Sequence, residues 1–189
     1  MKLSEILLDQ ILIAFVAIPL VAYLFSLVWK NHQEKQISLL VQITKITYLA
    51  FALVFAATWI IIGSGTLQFD FLRLYETDAF VFALQFHYDY LSLVFSIVGA
   101  FLFFMVTTFS KFYLHRDEGF KRFFSTILLF SFGYNLIIFA GNFETLFVGW
   151  EIIGLTSFLL IAFYRHRYLP VKNAFKTLSN YRLSDMALI

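Results

Sequence analysis

The sequence predicts an all-α integral membrane protein: a multi-spanning helix bundle with five complete transmembrane helices and the start of a sixth. Three observations carry this prediction. Hydrophobic residues make up 61% of the chain and charged residues 14%, whereas soluble domains average about 45–50% apolar and about 25% charged. The apolar runs are much longer than barrel strands, and only two Pro and eight Gly punctuate them, so the spans are helices. The basic residues fall in every second loop, as they do when a chain crosses a bilayer back and forth.

Taken in order, the first helix covers residues 7–29. It is too long for a cleavable signal and is not followed by a small-residue cleavage site. A polar turn, Lys30 to Lys35, leads to the second helix at 38–62. Lys45 sits near the start of that helix and is expected to snorkel to the surface. Residues 64–89 differ in kind. The run Gln68-Phe69-Asp70-Phe71-Leu72-Arg73-Leu74 alternates polar and apolar with the period of a strand, so a small extramembrane hairpin is expected. The third helix covers 90–109, with Asp89 as its cap. A charged loop follows to Arg122, then the fourth helix at 123–140. The turn Gly141 to Glu144 opens the fifth, and the basic segment Arg165 to Lys172, broken by Pro170, opens a sixth near Ala174. The chain divides into 1–122, three helices with the loop at 64–89, and 123–189.

Twelve of the 14 Lys and Arg residues lie in or near the loops after helices one, three and five; Lys2 and Arg73 lie on the other side. By the positive-inside rule the three basic loops are cytoplasmic and the N-terminus is outside. That describes a multi-pass protein of an inner (plasma) membrane of bacterial type. The chain has no Cys, which excludes disulfides and Cys-ligated zinc or iron–sulfur centres. His32, His87, His115 and His166 fall outside the spans without ligand spacing, so no metal site is expected. No phosphate-cradling loop and no nucleophile beside a base is present, so neither a catalytic residue nor a cofactor is expected. Trp29, Tyr90, Phe109 and Tyr164 suit interfacial belts; the other Phe residues read as packing and lipid-facing surface.

The polar groups inside the spans are few. Glu151 is the one ionisable residue between Leu146 and Phe163. A carboxylate there costs about 2.5–3.5 kcal/mol on the insertion scale, and such a residue is a functional candidate by default; the plainer alternative is a side chain snorkelling to the water face. Gly149, Gly154 and Ser157 are small and let another helix approach closely. In the last segment Arg182 and Asp185 are three apart and can pair, with Lys176 six residues earlier. Buried carboxylates and bases in series are what a proton path requires, although Arg182 and Asp185 equally suit a static pair that docks helix six.

Several stretches carry a family resemblance. They are Tyr88-Asp89-Tyr90-Leu91-Ser92-Leu93, Ser110-Lys111-Phe112-Tyr113, Glu118 to Phe124, and above all Phe147-Val148-Gly149-Trp150-Glu151-Ile152-Ile153-Gly154-Leu155-Thr156-Ser157-Phe158-Leu159-Leu160-Ile161. In these the chain resembles the antiporter-like membrane subunits of respiratory complex I, NADH-quinone oxidoreductase subunit L and mitochondrial chain 5, and the large subunit of Mrp-type sodium/proton antiporters. It departs at Tyr181-Arg182-Leu183-Ser184-Asp185, where the family has Asn-Arg-x-Gly-Asp. The wording of Gly141 to Thr145 and Arg165 to Ala174 is similar to members that partner a soluble protein in an inorganic-carbon pump.

The resemblance implies a proton-translocating subunit without a redox centre, made of two inverted five-helix repeats. It implies that Glu151 modulates a lysine on a later helix, that Arg182 and Asp185 belong to the same path, and that the chain ends inside the first repeat of a longer subunit. Three readings stand side by side: a proton-translocating subunit of an energy-converting complex, a sodium/proton antiporter or carbon-pump membrane subunit, and a structural scaffold. The implied partners are other membrane subunits, a soluble protein in the carbon-pump case, and the lipid bilayer; no nucleic acid is implied.

Overall fold

The computed structural model describes residues 3–30, 33–62, 65–77 and 80–188. Lys2, His32, Ser64 and Ile189, which entered the sequence reading as a charge, a surface histidine and two segment ends, lie outside them. The elements run α1 (Leu3–Val28), α2 (Glu34–Ile62), β1 (Leu67–Thr77), β2 (Phe80–Tyr88), α3 (Tyr90–Tyr113), α4 (Phe120–Ile138), α5 (Phe143–Ile161) and α6 (Tyr168–Leu188).

Four of these helices are apolar and long enough to cross a membrane by composition alone: α1, α2, α3 and α5. α4 matches α5 in length, about 28 Å at 1.5 Å per residue, but opens on Lys121 and Arg122 and carries Ser125, Thr126, Ser131 and Asn135. All four of these polar residues are buried. The reason is position: α4 packs against α1, α2, α3 and α5, so its surroundings are protein and it has little need of an apolar surface. Thr126 and Ser131 donate to carbonyls one turn back in α4 itself, and the other two reach across the bundle. Ser125 Oγ lies 2.8 Å from Ser26 Oγ of α1, and the Tyr48 hydroxyl of α2 donates to Asn135 Oδ1. Around this link the core is aromatic. Phe15 stacks on Tyr48 at 4.7 Å, and Phe103 meets the same ring edge-on at 5.6 Å.

The alternation at 67–88 forms an antiparallel hairpin with β-bulges between Asp70 and Leu72 and between Arg73 and Tyr75. It is pinned to the α4–α5 turn. His87 N donates to Phe139 O at 2.9 Å, Gly141 N to Gln85 O at 2.8 Å, and Gln85 N to Thr145 Oγ1 at 2.9 Å. Asp89 caps α3 by accepting from Ser92 N at 2.8 Å, and that hydrogen bond holds its carboxyl below the usual carboxylate range.

The basic loops gather at the opposite end. Lys121 Nζ donates to the Leu27 carbonyl at 3.3 Å and to that of Trp29, satisfying carbonyls at the C-terminus of α1 with a cation. Arg122 donates to Phe163 O at 2.7 Å, and His115 Nδ1 lies 3.4 Å from Glu34. Two sequence expectations are corrected here. α6 begins at Tyr168 and takes in Pro170, because a helix's first turn has no use for the N–H that proline lacks. Lys45 does not snorkel. It is 8% exposed and its Nζ donates to Thr108 Oγ1 of α3 at 2.7 Å. By these element bounds eight of the twelve cations counted with the loops lie within helices: Lys35, Lys45, Lys111, Lys121, Arg122, Lys172, Lys176 and Arg182.

Candidate functional site

Asn142 caps α5 by accepting from Thr145 N at 3.0 Å. From that cap Glu151 lies near the middle of the 19-residue helix, about 12 Å from its first residue and about 15 Å from its last at 1.5 Å per residue. α6 runs alongside and brings Arg182 to it. Arg182 Nη1 donates to both Glu151 oxygens at 2.9 Å and to Asp185 Oδ2 at 3.2 Å. Asp185, 6% exposed, is held from its other oxygen by Trp150 Nε1 at 3.0 Å. The site is thus two carboxylates with one guanidinium between them, and an indole N–H fixing the deeper carboxylate. Glu151 is 29% exposed at its side chain and Arg182 53%, so the cluster has one buried side and one open side.

The chemistry follows from this arrangement. Arg182 does not release its proton in a protein, so an added proton must go to a carboxylate. With all three groups charged the cluster carries one net negative charge, and one proton neutralises it. Protonating Glu151 weakens its hold on Arg182 and leaves the guanidinium to Asp185, which Trp150 keeps in place.

Among the sequence candidates, Glu151, Arg182 and Asp185 come together. Lys176 is exposed, six residues nearer the basic end, and outside the cluster. Gly149 and Gly154 are five residues apart, about 140° around a helix, and face different neighbours. A Cβ on Gly149 would lie 2.9 Å from Gly133 O of α4, whereas one on Gly154 would meet the Tyr181 ring of α6 at 2.8 Å. Ser157 is half-buried. Sequence reasoning missed Trp150, whose indole N–H inside an apolar run was the available signal, and the buried Asn135. It also misplaced Lys45, to which the cost argument used for Glu151 applied equally.

The family model described as NADH-Ubiquinone oxidoreductase (complex I), chain 5 N-terminus matches residues 75–124, from the hairpin through α3 to the start of α4. NADH-ubiquinone oxidoreductase chain 5 of Pseudosoriculus fumidus is 34% identical over 107 residues, 57% of this chain and 18% of that protein. NADH-quinone oxidoreductase subunit L of Rickettsia typhi is 29% identical over 182 residues, 96% of this chain and 28% of that protein. A chain of the membrane-bound sulfane sulfur reductase (MBS), an archaeal respiratory membrane complex, shares the fold with a TM-score of 0.71 at 20% identity, covering 90% of this chain and 34% of that one. This chain spans less than a third of the length of these two curated relatives.

Proposed function

We infer, this chain being an antiporter-like membrane subunit related to complex I chain 5 and subunit L, that it belongs to a subunit moving protons across the membrane within an energy-converting complex. The observation that carries the reading is the Glu151–Arg182–Asp185 cluster, halfway along α5 and one proton away from neutrality. Glu151 is the proton-accepting group. Asp185, anchored by Trp150, is the fixed carboxylate toward which Arg182 turns when Glu151 is neutral. Lys176 is the next base toward the basic end of α6. Gly149 and Gly154 let α5 sit close to α4 and α6. Residues 1–122 supply the leading helices with the hairpin at 64–89, and residues 123–189 open the first antiporter-like repeat. The partners are the other membrane subunits of the complex, and the basic loops face the cytoplasm.

Sealed vesicles carrying the full-length subunit in its complex should take up protons as the complex turns over. Turnover with no proton movement attributable to this subunit would overturn the reading. Orientation has its own test in this Cys-free chain. Phe71→Cys in the hairpin and Glu118→Cys in the α3–α4 loop, both exposed positions, should react with an impermeant maleimide from opposite faces, Glu118→Cys from the cytoplasm. Reaction of both from one face would reject the orientation.

A further inference from the structure

We propose that the cleft between α2 and α3 at the basic end holds the headgroup phosphate of an anionic phospholipid. The cleft encloses about 330 Å³, and its polar lining is Glu34, Lys35, Ser38, Gln42, Lys111 and His115. Below it a throat of about 10 Å³, which shares Ser38, Gln42 and Lys111, leads to Lys45. The Lys45 ammonium donates to Thr108 Oγ1 and lies 4.8 Å from the centre of the Phe104 ring. Among the described residues no carboxylate pairs with it. The one carboxylate in the cleft, Glu34, is turned to His115 at 3.4 Å. Two lysines, Lys35 and Lys111, thus line a space whose one carboxylate is already engaged, a third, Lys45, lies at the adjoining throat, and a buried cation without a counter-ion is costly.

The shape identifies a lipid rather than a free anion. Ser38, Gln42 and Lys45 follow one another at four and three residues, so they form one stripe of α2; Ser38 and Gln42 line the cleft, and all three line the throat. Leu39, Ile43 and Ile46 form the adjoining stripe with the same spacing. Leu39 reaches the cleft, and all three are exposed. α2 therefore offers polar side chains to a headgroup and, immediately beside them, an apolar track for an acyl chain. Basic pockets between membrane helices on the cytoplasmic side suit anionic headgroups on electrostatic grounds.

The test is native mass spectrometry of the full-length protein in detergent, titrated with phosphatidylglycerol, phosphatidylcholine or inorganic phosphate. One phosphatidylglycerol per chain should be retained at a concentration at least about tenfold below that needed for phosphatidylcholine, the ratio that separates a specific site from annular lipid by about 1.4 kcal/mol. Lys45→Gln should remove that preference. Lys111→Gln, at a half-buried position that tolerates change, should reduce it while circular dichroism reports unchanged helix content. Lys172→Gln, in another basic segment, should leave it intact. Equal retention of the two lipids, an unchanged preference in a folded Lys111→Gln protein, or displacement of phosphatidylglycerol by equimolar inorganic phosphate would each overturn the proposal.

Discussion

Glu151→Gln in the full-length protein is expected to abolish most proton translocation while leaving the complex assembled. Glutamine keeps the length and branching of glutamate, and its carbonyl can still accept from Arg182, which now donates to both carboxylate oxygens at 2.9 Å. It cannot accept a proton at neutral pH. Arg182 and Asp185 then neutralise one another permanently, which fixes the cluster in the arrangement that protonation of Glu151 would produce. The loss should be on the order of 100-fold, as for removal of a positioned proton-transfer side chain. Glu151→Asp keeps the charge but shortens the reach by one methylene, so part of the activity should remain. The measurement is proton uptake in sealed vesicles, with a blot for assembled complex run alongside. Assembled Glu151→Gln protein that pumps normally would leave Glu151 as a packing residue of the α5–α6 contact.

Much of this architecture was legible because a bilayer reduces the choices. Long apolar runs must be helices, basic loops sort to one side, and two-residue alternation within residues 67–88 cannot serve a helix. What stayed hidden depended on neighbours. α4 counts as a complete span in the sequence, but how Ser125, Thr126, Ser131 and Asn135 are accommodated there is not legible from its own residues. They are acceptable because α1, α2, α3 and α5 surround the helix. Lys45 shows the same limit in reverse. Its distance along α2 suggested an easy route to water, but Thr108 of α3 lies in hydrogen-bonding range on the inner face. Pro170 reads as a breaker because proline in mid-helix interrupts the ladder; in the first turn there is no bond to break.

The site was legible in its members more than in its wiring. Intramembrane cost singled out Glu151, and the three-residue spacing paired Arg182 with Asp185. That Arg182 reaches Glu151, 31 positions earlier in the chain, follows from the docking of α6 on α5, which local periodicity does not encode. Trp150 completes the cluster for a related reason. Its ring reads as one more apolar side chain until the partner of its N–H, Asp185, is placed on the neighbouring helix.

Gly149→Val is expected to be the most disruptive single substitution in the α4–α5 contact. The two helices meet at a pair of glycines. A Cβ on Gly149 would stand 2.9 Å from Gly133 O, from Leu136 Cβ and from Ile137 Cγ1, and one on Gly133 would stand 3.2 Å from Gly149 O. A backbone oxygen cannot swing aside as a side chain can, so the helices must separate, losing van der Waals packing that no hydrophobic effect replaces in lipid. Overpacking of this kind costs about 1–3 kcal/mol. Valine is β-branched and stiff in a helix, so the gain in helix propensity over glycine is only a few tenths of a kcal/mol, roughly 0.3, and offsets little of that. Gly154→Ala is the comparison. Its new methyl group meets the edge of the Tyr181 ring, a half-buried side chain rather than backbone, so a shift of that ring can relieve the contact and the change should cost much less. Because Gly149 is two residues from Glu151, the separation should also loosen the α5 face that carries the proton-accepting group, and translocation should fall with stability. Unfolding midpoints in mixed detergent, read by circular dichroism, should order the proteins as wild type, then Gly154→Ala close behind, then Gly149→Val well below. A Gly149→Val protein as stable as wild type would show that α4 and α5 are not held together at this glycine pair.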